Sequence, residues 1–145
     1  MVLGDGRLSL EREPDQEFDV LLMDAFSGDS IPLHLLTREA MAIYMRHLKP
    51  GGVLGVQATN RFIDIGPVIA SLAVEYGLTA VSISDTPVGE VGPDYWMSST
   101  VQILVTSNRK LLEAAKIRDA GTILAVDPGF RMWTDNFNNL LHVLK

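Results

Sequence analysis

The chain contains no cysteine. That excludes a disulfide framework and a thiolate nucleophile, and it fits a reducing compartment. Basic residues are in deficit as well, with 12 Lys and Arg against 18 Asp and Glu and a net charge of -6. Nucleic acid and anionic membranes both call for surplus positive charge, so neither is expected as a partner, and a small cation suits this balance better. Long apolar runs are missing too. The longest, such as "VLLM" and "QILV", fall far short of the roughly 20 residues of a membrane-spanning helix. The opening "MVLGDGRLSLERE" lacks the basic-then-apolar order of a signal peptide. A cytoplasmic protein is the expectation. His34, His47 and His142 show no metal-ligand spacing, so surface or packing roles are expected of them and no metal is implied.

What is present is the makings of one core. With 145 residues, 47% of them hydrophobic and 21% charged, the chain reads as a single globular domain over residues 1–145. Segment 18–25 (FDVLLMDA) is a short apolar run without alternation, which suggests a strand buried on both faces. Thr37 has the form of a helix N-cap, with Glu39 in the first turn and Ala40, Met41, Tyr44, Met45 and Leu48 as the apolar stripe. Lys49-Pro50-Gly51-Gly52 stops that helix. A second strand (53–59), a helix near 62–76 ended by Gly77, a third strand (78–84) and a fourth (99–107) follow, then helices near 109–119 and 135–144. Trp133 is expected to anchor that last helix in the core, with Thr134 or Asp135 capping it. The order β-α-β-α-β-β argues for an α/β fold built on an open sheet, mostly parallel, with the last strand antiparallel across the 85–98 loop.

Chemistry is sought first at strand ends, where ligands of open α/β sheets sit. Asp24 ends the first strand, which makes it a candidate base or ligand anchor; an aspartate that merely starts a turn is an equal alternative. Asp29 lies in "SGDSIP", ordinary turn chemistry. Asp5 stands between two glycines in "GDGR", a turn that can bring backbone close to a ligand while the carboxylate accepts a hydrogen bond. Tyr95 and Trp96 lie in the loop between the last two strands, where packing and a pocket role are both open for Tyr95.

Together "GDGR" (4–7), "FDVLLMDAFSGDSIP" (18–32), "LTREAM" (36–41), "LKPGGVL" (48–54) and "WTDNFNNLL" (133–141) resemble the second half of a spermidine synthase-like aminopropyltransferase, a branch of the class I methyltransferase-like Rossmann families. The resemblance implies decarboxylated S-adenosylmethionine as donor of an aminopropyl group to a diamine such as putrescine, with no metal. It implies that Asp24 helps deprotonate and orient the attacking amine beside the donor, that Asp29 binds the polyamine, and that Asp5 and Gly6 hold the adenine. It makes Tyr95 a candidate substrate contact. The "DAFSGD" loop is two residues longer than the compact loop typical of spermidine synthases, and methyl transfer from S-adenosylmethionine to another acceptor, or a non-catalytic interaction module, are the alternatives.

The resemblance also implies a glycine-rich turn after a first strand and an acidic residue after a second, and neither occurs here. The chain therefore reads as a C-terminal half-domain with the first strands missing, inactive by itself. Strand 18–25 would then be a bare apolar edge, from which a homo-oligomer pairing through that strand is expected.

Overall fold

The structure is a computed structural model and describes residues 3–25, 30–85 and 99–145. Its centre is a five-stranded sheet. The strands are β1 (Phe18–Met23), β2 (Leu48–Gln57), β3 (Thr79–Asp85), β4 (Thr100–Thr106) and β5 (Gly121–Ile123), in spatial order β1-β2-β4-β3-β5. β1 and β2 pair in parallel, and β4 lies antiparallel between β2 and β3. β1, β2 and β3 thus run in one direction and β4 against them, as the helical crossovers require. Among the described residues only β1 and β2 are direct parallel neighbours, because β4 inserts between β2 and β3.

The helices on the chain between these strands form where their caps allow. α1 (Gly6–Arg12) starts at Asp5, whose side chain accepts from the Leu8 amide. α2 (Arg38–His47) starts at Thr37, whose hydroxyl accepts from the Ala40 amide, as its sequence predicts. α3 (Gly66–Glu75) begins at a Gly-Pro pair and ends at Gly77, which takes φ +66°, a left-handed conformation that glycine adopts without strain. Gly51 at φ +76° does the same in the turn after α2, although β2 already begins at Leu48 and crosses that turn with a register irregularity opposite Phe18 and Val20.

Two expected helices are corrected. The single helix near 109–119 is two short ones, α4 (Arg109–Leu112) and α5 (Ala115–Ala120), with Asn108 capping the first. The helix near 135–144 reduces to a 3-10 turn at Leu140–Val143, preceded by an isolated bridge between Thr134 and Phe137; Asp135 spends its carboxylate on Arg7 and Thr37 instead of on a cap. α1 and β5 were not foreseen: α1 has no buried residue and hence no apolar stripe to read, and β5 is three residues long.

The core lies on one face of the sheet, where Leu54, Val56, Ile103, Val105 and Ala80 meet Leu36, Met41 and Tyr44 of the α2 segment, Val68 and Leu72 of α3, and Trp133, which is 1% exposed. On the other face the register lines up Leu22, Gly55, Leu104 and Val81. Leu112 and Ile117 of α4 and α5 border Val81 there. At the β1 end that face is open, with Val20 and Leu22 each 62% exposed, so strand 18–25 is buried on one face and not on both as its unbroken apolar run suggests.

Candidate functional site

A cleft of about 210 Å³ opens beside β1, walled by Gly6, Arg7 and Leu10 of α1, by Leu35 and Tyr44, by Leu54 of β2 on the core face, and by residues 21–25. Leu21, Leu22 and Met23 are consecutive in a strand, and strand side chains alternate between faces. A surface that touches all three follows the strand's free backbone edge. Asp24 stands at the C-terminal end of that edge, exposed and lining the cleft. The strand places it there because β1 runs in parallel with β2 and both end at the same rim of the sheet.

α1 forms the far wall without burying any residue. It is fastened at its N-terminal end by Arg7, which donates to the His34 carbonyl at 2.7 Å and to both carboxylate oxygens of Asp135 at 2.7 and 2.6 Å. The Thr37 hydroxyl donates to Asp135 at 2.8 Å, and the Asp135 amide donates to Glu39 at 3.0 Å. The Arg7 side chain is 12% exposed and that of Asp135 40%. The Arg7 guanidinium, ahead of the Thr37 hydroxyl, holds the Asp135 carboxyl below the usual carboxylate range against a partial desolvation cost. At the other end of α1, Arg46 donates to the Leu10 carbonyl at 2.8 Å, and the buried His47 donates to it from Nε2 at 2.8 Å. Tyr44, at the back of the cleft, donates to the Leu35 carbonyl at 3.0 Å, and burial pushes its phenol well above the ordinary range. It is a wall and a hydrogen-bond donor, not a base.

The residues singled out in the sequence fare differently. Asp24 and Gly6 share the cleft. Asp5, next to Gly6, has its Oδ1 on the Leu8 amide at 2.9 Å and its Oδ2 on His34 Nε2 at 2.7 Å; the amide and then the histidine hold its carboxyl below the usual range. Asp29 and Tyr95 lie outside the described residues. Among the described residues no cluster of His, Cys, Asp or Glu could hold a metal ion, and no helix is long and apolar enough to cross a membrane. Sequence reasoning missed Arg7, Leu10, His34 and Tyr44. Neither Arg7 nor His34 carried a local sign, since their partners are 128 and 29 positions away.

No protein-family model matches the chain. Over 53 residues, 35% of this chain and 18% of the relative, the sequence is 42% identical to a polyamine aminopropyltransferase of Vibrio vulnificus. The fold matches the crystal structure of a probable spermidine synthase from Corynebacterium glutamicum with a TM-score of 0.57 at 17% identity, over 96% of this chain and 55% of that one. The chain thus spans about half the length of the solved structure and its matched stretch about a fifth of the curated relative. The likeness to spermidine synthase-like proteins holds in sequence over a third of the chain and in fold over nearly all of it, and the α/β sheet is of their Rossmann-like, methyltransferase kind.

Proposed function

We propose that residues 1–145 are one domain, the C-terminal half of a spermidine synthase-like aminopropyltransferase, with decarboxylated S-adenosylmethionine as donor and a diamine such as putrescine as acceptor. The observation that carries this reading is Asp24 at the C-terminal end of a parallel strand, lining the same cleft as Gly6. Asp5 and Gly6 are assigned to the adenine end of the donor. Asp29 and Tyr95, both beyond the described residues, are assigned to the acceptor.

A diamine is a dication at neutral pH, and an acidic rim attracts it. The Asp24 carboxylate takes a proton from one ammonium, and the freed nitrogen attacks the methylene beside the donor's sulfonium. The N–C bond forms as the C–S bond breaks, the bonding pair neutralises the sulfur, and a thioether leaves. The product nitrogen stays protonated while the proton on Asp24 passes to water. Because the sulfonium is already an activated leaving group, positioning and electrostatics suffice.

At about 210 Å³ the cleft is smaller than the roughly 300–1,000 Å³ of ordinary ligand pockets. It also follows a free strand edge, flanked by the exposed Val20 and Leu22. We therefore assign the edge of β1 to a homo-oligomer contact, in which a strand of a second copy covers Leu21–Met23 and leaves Asp24 at the mouth; as a half-domain the isolated chain is inactive.

Calorimetry with putrescine and decarboxylated S-adenosylmethionine tests the reading. Asp24→Asn is expected to lose at least tenfold in putrescine affinity and to keep the donor. Equal putrescine binding by the variant would remove Asp24 from the site, and a preference for S-adenosylmethionine itself as donor would turn the reading to methyl transfer.

A further inference from the structure

Two segments distant in sequence are closed into a ring around Asp5. Residues 5–8 and 33–37 meet at three places: Arg7 Nη1 donates to the His34 carbonyl at 2.7 Å and to the Thr37 hydroxyl at 3.3 Å, and His34 Nε2 meets Asp5 Oδ2 at 2.7 Å. The His34 backbone is fixed besides by its place in the 3-10 turn Leu33–Leu35, whose Leu35 is buried. A carboxylate held only through Oδ1 to an amide can still swing about that bond, and a second anchor on Oδ2 sets the plane of the group. Each oxygen keeps a further acceptor position after these two bonds.

We infer that His34 is a positioning residue for the Asp5 carboxylate, turning its remaining acceptor positions toward an amine donor of the ligand and tying the segment that follows Asp24 to the turn that opens α1. This rests on the assignment of Asp5 to the adenine of the donor. The charged groups facing His34 are Asp5 and Arg7 at the start of α1 and Asp135 from the C-terminal segment. Arg7 donates to both carboxylate oxygens of Asp135, which leaves Asp5 as the histidine ring's direct partner.

The test has two arms. Carboxyl-carbon NMR of Asp5 against pH reads the contact itself: in His34→Ala the Asp5 titration is expected to move up toward the ordinary aspartate range, and an unmoved titration would sink the contact. Calorimetry with decarboxylated S-adenosylmethionine and with 5′-methylthioadenosine reads its use. His34→Ala is expected to weaken both nucleosides about tenfold, the scale of one charge-assisted hydrogen bond. His34→Gln, whose amide nitrogen can donate from the same place, is expected to restore most of the loss. Adding His34→Ala to Asp5→Asn should then cost nothing further. Wild-type affinity in His34→Ala, failure of the glutamine rescue, or additive losses in the double variant would each overturn the positioning role while leaving Asp5 as a ligand residue. A wild-type chain that takes up neither nucleoside removes the adenine site itself, and the role of His34 with it.

Discussion

Arg7 joins three parts of the molecule through one guanidinium: the start of α1, the N-terminus of α2 and the segment after Trp133. Arg7→Met is expected to cost about 2 kcal/mol in denaturant unfolding, less than the roughly 3–5 of a fully buried pair because Asp135 is partly solvated. Asp135 and Asp5 both titrate below the ordinary carboxylate range. A carboxyl depressed in the folded state contributes stability above its unfolded pKa, and that contribution is lost as pH falls through the folded one. The melting temperature should therefore hold from neutral pH down to about 5 and fall below about 4, where unfolded aspartates begin to bind protons. Arg7→Met should fall less steeply over the same interval, and an identical acid limb in both proteins would contradict the pairing. None of this was legible in the sequence, because the contacts join positions 7 and 135, and positions 5 and 34. Asp24 was legible, since a carboxylate closing an apolar run is a local feature of the chain.

Among the elements, β1 to β4 and the two long helices were read from apolar runs and caps, within about five residues of their observed bounds, because each carries apolar residues that reach the core. The C-terminal stretch was misread. Its spacing of Trp133, Phe137 and Leu141 suits a helix, but of these only Trp133 is fully buried, Phe137 packs half-buried against the core, and Leu141 is 76% exposed. Tertiary burial of one tryptophan outweighed local propensity there. Trp133→Ala is expected to destabilise the fold by about 3–5 kcal/mol, measured by urea unfolding. β5 hangs on a narrower condition. A Cβ at Gly121 would collide with Val81 Cγ1 and stand 2.6 Å from the Ile117 carbonyl oxygen, a backbone atom that cannot step aside cheaply. Gly121→Ala should cost about 1–3 kcal/mol and free the amides paired between β5 and β3 to exchange ahead of the rest of the sheet. Unchanged protection of those amides would show that the turn gives way at little cost.

At the scale of the whole molecule the sheet is unevenly finished. One face is covered from β1 to β3, while the other is bordered by α4 and α5 at its far end and bare at β1. A parallel strand at a sheet edge with two apolar side chains outward is unusual in an α/β protein, where parallel strands are normally covered on both faces. The open edge was foreseen from the sequence by resemblance, through the glycine-rich and acidic landmarks it lacks; the cleft along that edge was not, since α1 left no pattern to read. Light scattering at micromolar concentration should find a dimer or larger assembly. Leu22→Lys, a charge on an edge strand, should shift it toward monomer. A wild-type monomer at that concentration would remove the proposed contact.

The fastening of α1 has a consequence for solution conditions. A wall with no fully buried residue, clasped by the Arg7–Asp135 ion pair at one end and by Arg46 and His47 on the Leu10 carbonyl at the other, with Leu10 half-buried against the core, draws part of its hold from charge. Added salt screens such ties, whereas a strongly excluded salt such as sulfate tightens apolar burial. Raising its concentration should loosen this helix while the centre of the molecule hardens, so the cleft would change its breadth before anything else in the fold responds.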